Sequence, residues 1–249
     1  MLRVPCSPRA GFLTIVRAAA WLAPARAAHA QMKGDPESVA AARRIIENMG
    51  GAALWSKAKW IYCQERAYYA SQPGVSTVQF WRRTEAPAEW AYRTAPNVER
   101  RAAWTAQSGW RLRDGVLTEM TKEQMQDALG WWPGEIYVMY ARFARDDPRL
   151  RLSKLSDRSF VVLDDADGRH LGEFHVNLAG ELVAWKHSYG TDSVHYVYGP
   201  LKAMGPIRVP DWGALHDGSF RFYYTDFKLS ESDPPVSFEP PAAGGKQGS

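Results

Sequence analysis

Gly205-Pro206-Ile207-Arg208-Val209-Pro210-Asp211-Trp212, followed by Phe220-Arg221-Phe222-Tyr223-Tyr224-Thr225-Asp226-Phe227-Lys228-Leu229, is the stretch that decides how this chain is read. Its first half is punctuated by glycine and proline and reads as an irregular crossing. Its second half is an aromatic run bounded by polar residues and reads as one long strand. A chain that crosses over and then enters such a strand reads as part of a β-rich fold.

Working back from that strand, hydrophobic period two recurs in two blocks. The first runs through Trp60–Tyr69, Thr77–Arg83, Glu89–Thr94, Ala102–Ala106, Gly109–Arg113 and Val116–Met120. Asp114-Gly115 is a two-residue hairpin turn, because Asp and Gly tolerate positive φ. The second block is Leu150–Leu155, Phe160–Asp164, Leu171–Asn177, Leu182–Tyr189 and Ser193–Tyr198. Residues 199–216 read as irregular. Helical spacing appears before the first block, over Ser38–Met49, with Asp35 or Ser38 as its cap. It appears again between the blocks, over Lys122–Leu129 and Glu135–Ala144. Thr121 and Gln124 form a capping box there, and Trp131-Trp132-Pro133-Gly134 breaks the segment. Helix, meander, helices, meander predicts an α+β domain in which helices cover one side of a curved antiparallel sheet.

The first 30 residues read as a secretory signal. Arg3 and Arg9 precede an apolar run over 11–22, and Ala28-His29-Ala30 is a small-x-small cleavage site before Gln31. The expected organisation is a signal at 1–30, one domain over 31–232 and a disordered Pro/Gly-rich tail over 233–249. Removing the signal takes Arg3, Arg9, Arg17 and Arg26 and no acid. That leaves 31 less four basic residues against 27 acidic ones, near neutrality. The high pI of the whole chain is therefore no sign of nucleic-acid binding. Seven Arg against three Glu over 82–113 read as a solvated sheet face. No later stretch is long and apolar enough to span a membrane.

Sites of covalent or metal chemistry find little support. Cys63 stands alone once Cys6 leaves, and its neighbours Trp60, Ile61 and Tyr62 suggest a buried thiol. His170, His175, His187, His195 and His216 lack short ligand spacing, so no metal and no cofactor is expected. If neighbouring strands did gather a site, His175, His187 and His195 would make it. The run Asp164-Asp165-Ala166-Asp167-Gly168 lacks the glutamate of a calcium loop at the twelfth position, which is His175. No nucleophile elbow and no glycine-rich phosphate loop occur.

The aromatic set is the remaining signal. Trp60, Tyr62, Phe80, Trp90, Tyr92, Trp110, Trp185, Tyr196, Phe222 and Tyr224 all fall on expected strands. They are either packed core or the lining of a cavity, and the residues alone leave both open.

Three features resemble the outer-membrane lipoprotein carrier and sorting proteins of the LolA/LolB-like fold. Ala40 to Leu54 resembles their helix, double glycine and leucine ahead of the first strand. Gly180-Glu181-Leu182-Val183-Ala184-Trp185 resembles their tight strand pair, and the crossing and strand quoted above resemble their lip and closing strand. The resemblance implies an unclosed half-barrel whose concave side is covered by helices and holds an apolar or acyl-chain ligand. On it, Trp90, Tyr92, Trp110, Phe222 and Tyr224 would face the ligand. Ile136, Met139, Tyr140 and Phe143, which share one helical face, would close over it as a lid. It implies a non-enzymatic periplasmic protein. A scaffold or sensor for an envelope protein partner is the alternative, and a hydrolase with dispersed acidic or histidine residues a third.

If the signal reading holds, protein recovered from the envelope fraction begins at Gln31. N-terminal sequencing checks this, and a cytoplasmic product retaining Arg3 and Arg9 would refute it.

Overall fold

The computed structural model describes residues 31–96, 98–190 and 192–241. The signal segment, and 242–249 of the expected tail, lie outside the described residues. The elements run β1 Lys33–Gly34, α1 Pro36–Asn48, α2 Ala52–Trp55, β2 Trp60–Tyr69, β3 Ser76–Arg83, β4 Ala88–Ala95, β5 Val98–Thr105, β6 Gly109–Arg113 and β7 Val116–Glu119. Then come α3 Lys122–Trp131, a single 3₁₀ turn over Trp132–Gly134, and α4 Ile136–Ala144. The rest is β8 Leu150–Ser156, β9 Ser159–Asp164, β10 His170–Val176, β11 Leu182–Tyr189, β12 Asp192–Tyr198, β13 Leu201–Met204, β14 Ile207–Pro210, β15 Trp212–Leu215 and β16 Phe220–Ser230.

Fourteen strands form one open sheet in the order β1-β8-β9-β10-β11-β12-β15-β16-β2-β3-β4-β5-β6-β7. Among the described residues, only the β1/β8 pair is parallel. The two meanders are thus the two wings of one curved sheet that does not close. The long aromatic strand is their join. β16 pairs with β2 along its whole length, from Phe220↔Tyr69 to Ser230↔Trp60. It is therefore a central strand and not a closing edge.

The local signals explain most boundaries. Asp35 caps α1 by accepting from Ser38 N at 2.8 Å. Thr121 and Gln124 make the expected reciprocal capping box on α3. At the β6–β7 hairpin, Asp114 and Gly115 have φ of 52° and 83°, the pair of positive values such a turn needs. Residues 199–216 depart from expectation. They contain the β13–β14 hairpin, which pairs only with itself, and β15, which enters the main sheet beside β16. Of the prolines that suggested a loop, Pro210 ends β14, Pro200 precedes β13 and Pro206 sits in the turn between β13 and β14, places where a missing N–H is tolerated.

The core lies on the inner face of the sheet. Alternation puts Ile61, Cys63 and Ala67 of β2 inward with Phe80 of β3 and Phe222, Tyr224 and Phe227 of β16. Against them pack Ile45 and Ile46 of α1, Trp55 of α2 and nearly the whole of α4. The outer face has a smaller apolar cluster of its own. Trp60, Ala88, Ala103 and Trp110 are buried there, and the segment after β16 crosses it. Trp60 Nε1 donates to Asp233 Oδ1 at 3.1 Å, and Trp110 Nε1 donates to the Phe238 carbonyl at 2.7 Å. The Phe238 ring lies 5.4 Å from that of Trp60. Asp233 and Phe238, which fall within the stretch expected as tail, thus contact the sheet through two indole donors and one aromatic contact.

Phe238→Ala should therefore uncover the outer indoles. The expected loss is about 1–2 kcal/mol, as for a half-buried large apolar side chain. Tryptophan emission should move to longer wavelength. Unchanged emission and unchanged urea midpoint would show that this segment does not pack on the sheet.

Candidate functional site

The structure separates the residues grouped by sequence into two populations. Ile136, Met139, Tyr140 and Phe143 are buried within the core, as are Phe222 and Tyr224. Every residue of α4 from Ile136 to Phe143 is buried, on all sides of the helix. Tyr140 meets Trp55 edge-on at 77°, and Phe143 is set against Phe160 and Phe174, so this helix packs directly into the core. The helix expected as a lid is the plug of the sheet. The signal was in its composition: Ile-Tyr-Val-Met-Tyr-Ala-Arg-Phe-Ala is apolar all round, the pattern of a core helix.

Trp90, Tyr92 and Trp110 are corrected in the other direction. Ala91 and Arg93 pair in register with Phe80 and Val78, so they face inward. The intervening Trp90 and Tyr92 therefore face outward, and so does Trp110, which pairs across Ala103 with Trp90. Tyr92 lies under Arg101 at 4.9 Å, and Trp110 is held by the Phe238 segment. None of the three shares a face with α4.

A charged network that the sequence analysis missed joins α4 to the sheet. Glu135 caps α4, accepting from Tyr137 N at 2.8 Å. The same carboxylate meets Arg82 of β3, which also donates from Nε to Glu89 of β4 at 2.6 Å. The Arg82 guanidinium sits 4.8 Å from the Phe80 ring and 5.5 Å from Tyr137. Burial works against its charge, but Glu135 and Glu89 hold it more firmly protonated than usual. Beside it, Glu65 is almost wholly buried opposite Val78 and Tyr224. Burial pushes its carboxyl up to about 8, Arg82 opposes the shift and Glu135 adds to it. The hydroxyls of Tyr137 and Tyr224 bond to each other close by. Cys63 is fully buried and its thiol is pushed well up by that burial, so it is no nucleophile. Period two carried the clue, since Ile61, Cys63, Glu65 and Ala67 alternate on one face.

The histidines do not converge. His187 faces inward, edge-on to Trp131 at 4.5 Å, and burial lowers its pKa to about 4. His175 and His195 lie on the opposite face, where His195 stacks on His216. Among the described residues no group of three or more His, Cys, Asp or Glu side chains is placed to hold a metal ion.

Among the described residues, two of the cavities bear on the inner face of the sheet. The larger, about 680 Å³, lies beside the last residues of β16. Phe227 and Leu229 form one wall, Met204 and Ile207 of the β13–β14 hairpin another, and Leu54 of α2 a third. The bulge between Tyr224 and Asp226 is at its edge, with Thr225 tied to Gln64. A bulge that re-aims a strand beside a cavity is a common device. The smaller cavity, about 310 Å³, lies on the far wing over Val78, Ala91 and Ala102. Arg93, Arg100, Arg111 and Arg113 surround it. Of the residues expected to face a ligand, only Tyr92 borders either cavity. The element that spans the two wings is α3. Met125 meets Gly109 of β6, and Gly130 lies so close to the Tyr189 ring of β11 that no side chain fits there. Among the described residues, no helix is long and apolar enough to cross a membrane.

No protein-family model matches the chain, and no curated protein matches it. Solved structures do resemble it in outline. A LolA superfamily protein from Nitrosomonas europaea is 10% identical with a TM-score of 0.40, the match covering 82% of this chain and 97% of that one. A putative outer membrane lipoprotein-sorting protein domain from Vibrio parahaemolyticus is 8% identical with a TM-score of 0.35, covering 80% and 94%. A DUF1329 family protein from Desulfovibrio piger is 5% identical with a TM-score of 0.38, covering 80% and 95%.

The raised pKa of Glu65 makes stability depend on pH. The folded state binds this proton more tightly than the unfolded chain does. Its stabilising contribution is complete below the ordinary glutamate pKa of 4.5 and is lost as pH rises through about 8. Glu135 is shifted in the same direction by burial. At about 1.4 kcal/mol per unit, the Glu65 contribution is on the order of a few kcal/mol. Glu65→Gln should flatten the decline of the urea midpoint between these pH values and raise stability at pH 8. An unaltered pH profile would place the ionised carboxylate comfortably in the fold and contradict the assignment.

Proposed function

We propose that this protein binds a hydrophobic, lipid-like ligand on the inner face of the half-barrel, as a soluble periplasmic protein after signal cleavage. The observation that carries the reading is the cavity of about 680 Å³ between the β13–β14 hairpin and β16. Its walls are the side chains of Leu54, Met204, Ile207, Phe227 and Leu229, with Lys57, Asp226, Lys228 and Glu231 around it. That volume lies in the range of small-molecule sites, and apolar walls with a few charged groups at the rim suit a chain whose polar end stays near water. The crossing at 205–212 and the aromatic strand at 220–229 supply the walls, so the stretch that points to the fold also builds the pocket. The core aromatics Met139 packs among are then scaffold, and the ligand site is displaced from them to the lip. Export is supported by the basic start, apolar run and Ala28-His29-Ala30 alone.

The neutral fluorophore N-phenyl-1-naphthylamine tests the reading. It should bind wild type near one to one and be displaced by dodecanol. Met204 is partly exposed on the hairpin and packs against the core only from its margin, so Met204→Asp places a carboxylate in the wall without entering the core interior. Affinity should fall at least tenfold, which is about 1.4 kcal/mol, with the β-type circular dichroism unchanged. Absence of wild-type binding, or binding indifferent to both Met204→Asp and Leu229→Asp, would refute the proposal.

A further inference from the structure

The arginines of the far wing are arranged in a way that a solvated face does not require. Arg93 of β4, Arg100 of β5 and Arg113 of β6 are direct cross-strand partners, three guanidiniums in one row on the inner face. Arg111 joins them from the next inward row, opposite Ala102. Like charges directly opposed on a sheet destabilise it. Two inward rows along the same face, the usual remedy is present, since Arg82 there is matched by Glu89 and Glu135. The Arg93–Arg100–Arg113 row has no such remedy. Arg93 bonds to the neutral Ser76 at 3.2 Å and Gln72 at 2.6 Å, and lies 3.9 Å from the Tyr69 ring. Arg113 reaches only the adjacent Asp114, at 3.5 Å and with both side chains exposed. Arg100 and Arg111 pair with no carboxylate among the described residues, and Arg100 Nε is buried without a hydrogen-bond partner. A buried unpaired donor in a charged row is a deficit of anion.

We propose that Arg93, Arg100, Arg111 and Arg113 form a site for the phosphate monoester headgroup of an anionic amphiphile. Its chain lies on the apolar floor of Val78, Ala91 and Ala102. The groove of about 310 Å³ is large enough for a headgroup and the first carbons of a chain. Guanidinium forks match phosphate oxygens with paired donors, and several can share one phosphate. A monoester carries a charge of roughly −1.5 to −2 near neutral pH, which offsets more of this row than a carboxylate would. The small floor residues allow a chain to lie flat where larger side chains would fill the groove. This site is on a different wing from the cavity beside β16, and its existence does not depend on that cavity being occupied.

Calorimetric titration of the full chain tests it, with N-phenyl-1-naphthylamine kept saturating so that the cavity beside β16 is already filled. Octyl phosphate should bind, with affinity weakening as salt is raised. Octyltrimethylammonium should not bind, and inorganic phosphate should bind at least tenfold more weakly than octyl phosphate. Arg100→Gln and Arg113→Gln should each lower octyl phosphate affinity at least fivefold. Without ligand these variants should melt no lower than wild type, because each removes a like charge from the row. Three results overturn the proposal. One is octyl phosphate binding no tighter than octyltrimethylammonium. Another is affinity unchanged in both variants. The third is inorganic phosphate binding as tightly as octyl phosphate, which would remove the apolar floor from the site. Failure of the fluorophore itself to bind refutes the other cavity and leaves this measurement, made without it, fully readable.

Discussion

Arg82 holds the structure to a single arrangement. Its guanidinium stands on the inner face of β3 and is shared by Glu89 of the next strand and Glu135 at the start of α4. Glu135 is at once the cap of the helix and the counter-ion of the sheet. A buried charge stripped of its partner is strongly destabilising, so α4 has one acceptable position at this end. At the other end Arg145 donates to the carbonyls of Ser56 and Ala58, at 3.0 and 2.6 Å, and to Thr84 at 2.8 Å. Hydrophobic packing supplies most of the favourable free energy of this helix, but packing is non-directional. The two arginines set its register.

The second constraint is the central position of β16. Two meanders of local hairpins would each leave an unpaired edge facing the other, and such edges invite association with other chains. β16 pairs with β15 on one side and β2 on the other, turning two small sheets into one large one. The connection spans the full length of the domain. Its bulge at Thr225 shifts the register beside the space walled by Phe227 and Leu229. Continuity of the sheet and the cavity beside it thus come from the same strand.

The two wings divide the chemistry. Over β8–β12 the inner face is filled by Phe160, Phe174, Trp185 and α4, a packed core with two aromatic rings stacked at 5.3 Å. Over β4–β6 the inner face carries Ala91, Ala102 and a group of arginines, with Glu89 and Trp104 at its end toward α4. α3 reaches from one wing to the other with none of its residues fully buried. A curved sheet that is plugged on one side and left open and charged on the other is asymmetric in a way that its strand pattern alone does not disclose. The outer face has its own cover, where Phe238 lies between Trp60 and Trp110.

The local rules were sufficient for the elements. Period two located most strands within a residue or two, Asp114-Gly115 located a hairpin, and Thr121 with Gln124 located a cap, because each depends on neighbours in the chain. Alternation also told which residues share a face: Trp90 with Tyr92, and Phe222 with Tyr224. It could not tell which face is inside. That is decided where Phe80 pairs with Cys63 and β16 joins β2, contacts far apart in sequence. For the same reason Glu65 and Arg82 looked like ordinary strand polar residues until the fold enclosed them. The arginines of 93–113 looked like a solvated surface until register aligned three of them over an apolar floor. The chain by itself determined periodicity, turns, caps and the aromatic supply. Only the tertiary structure decided what those side chains face, since burial and the partners of a charge are properties of long-range pairing.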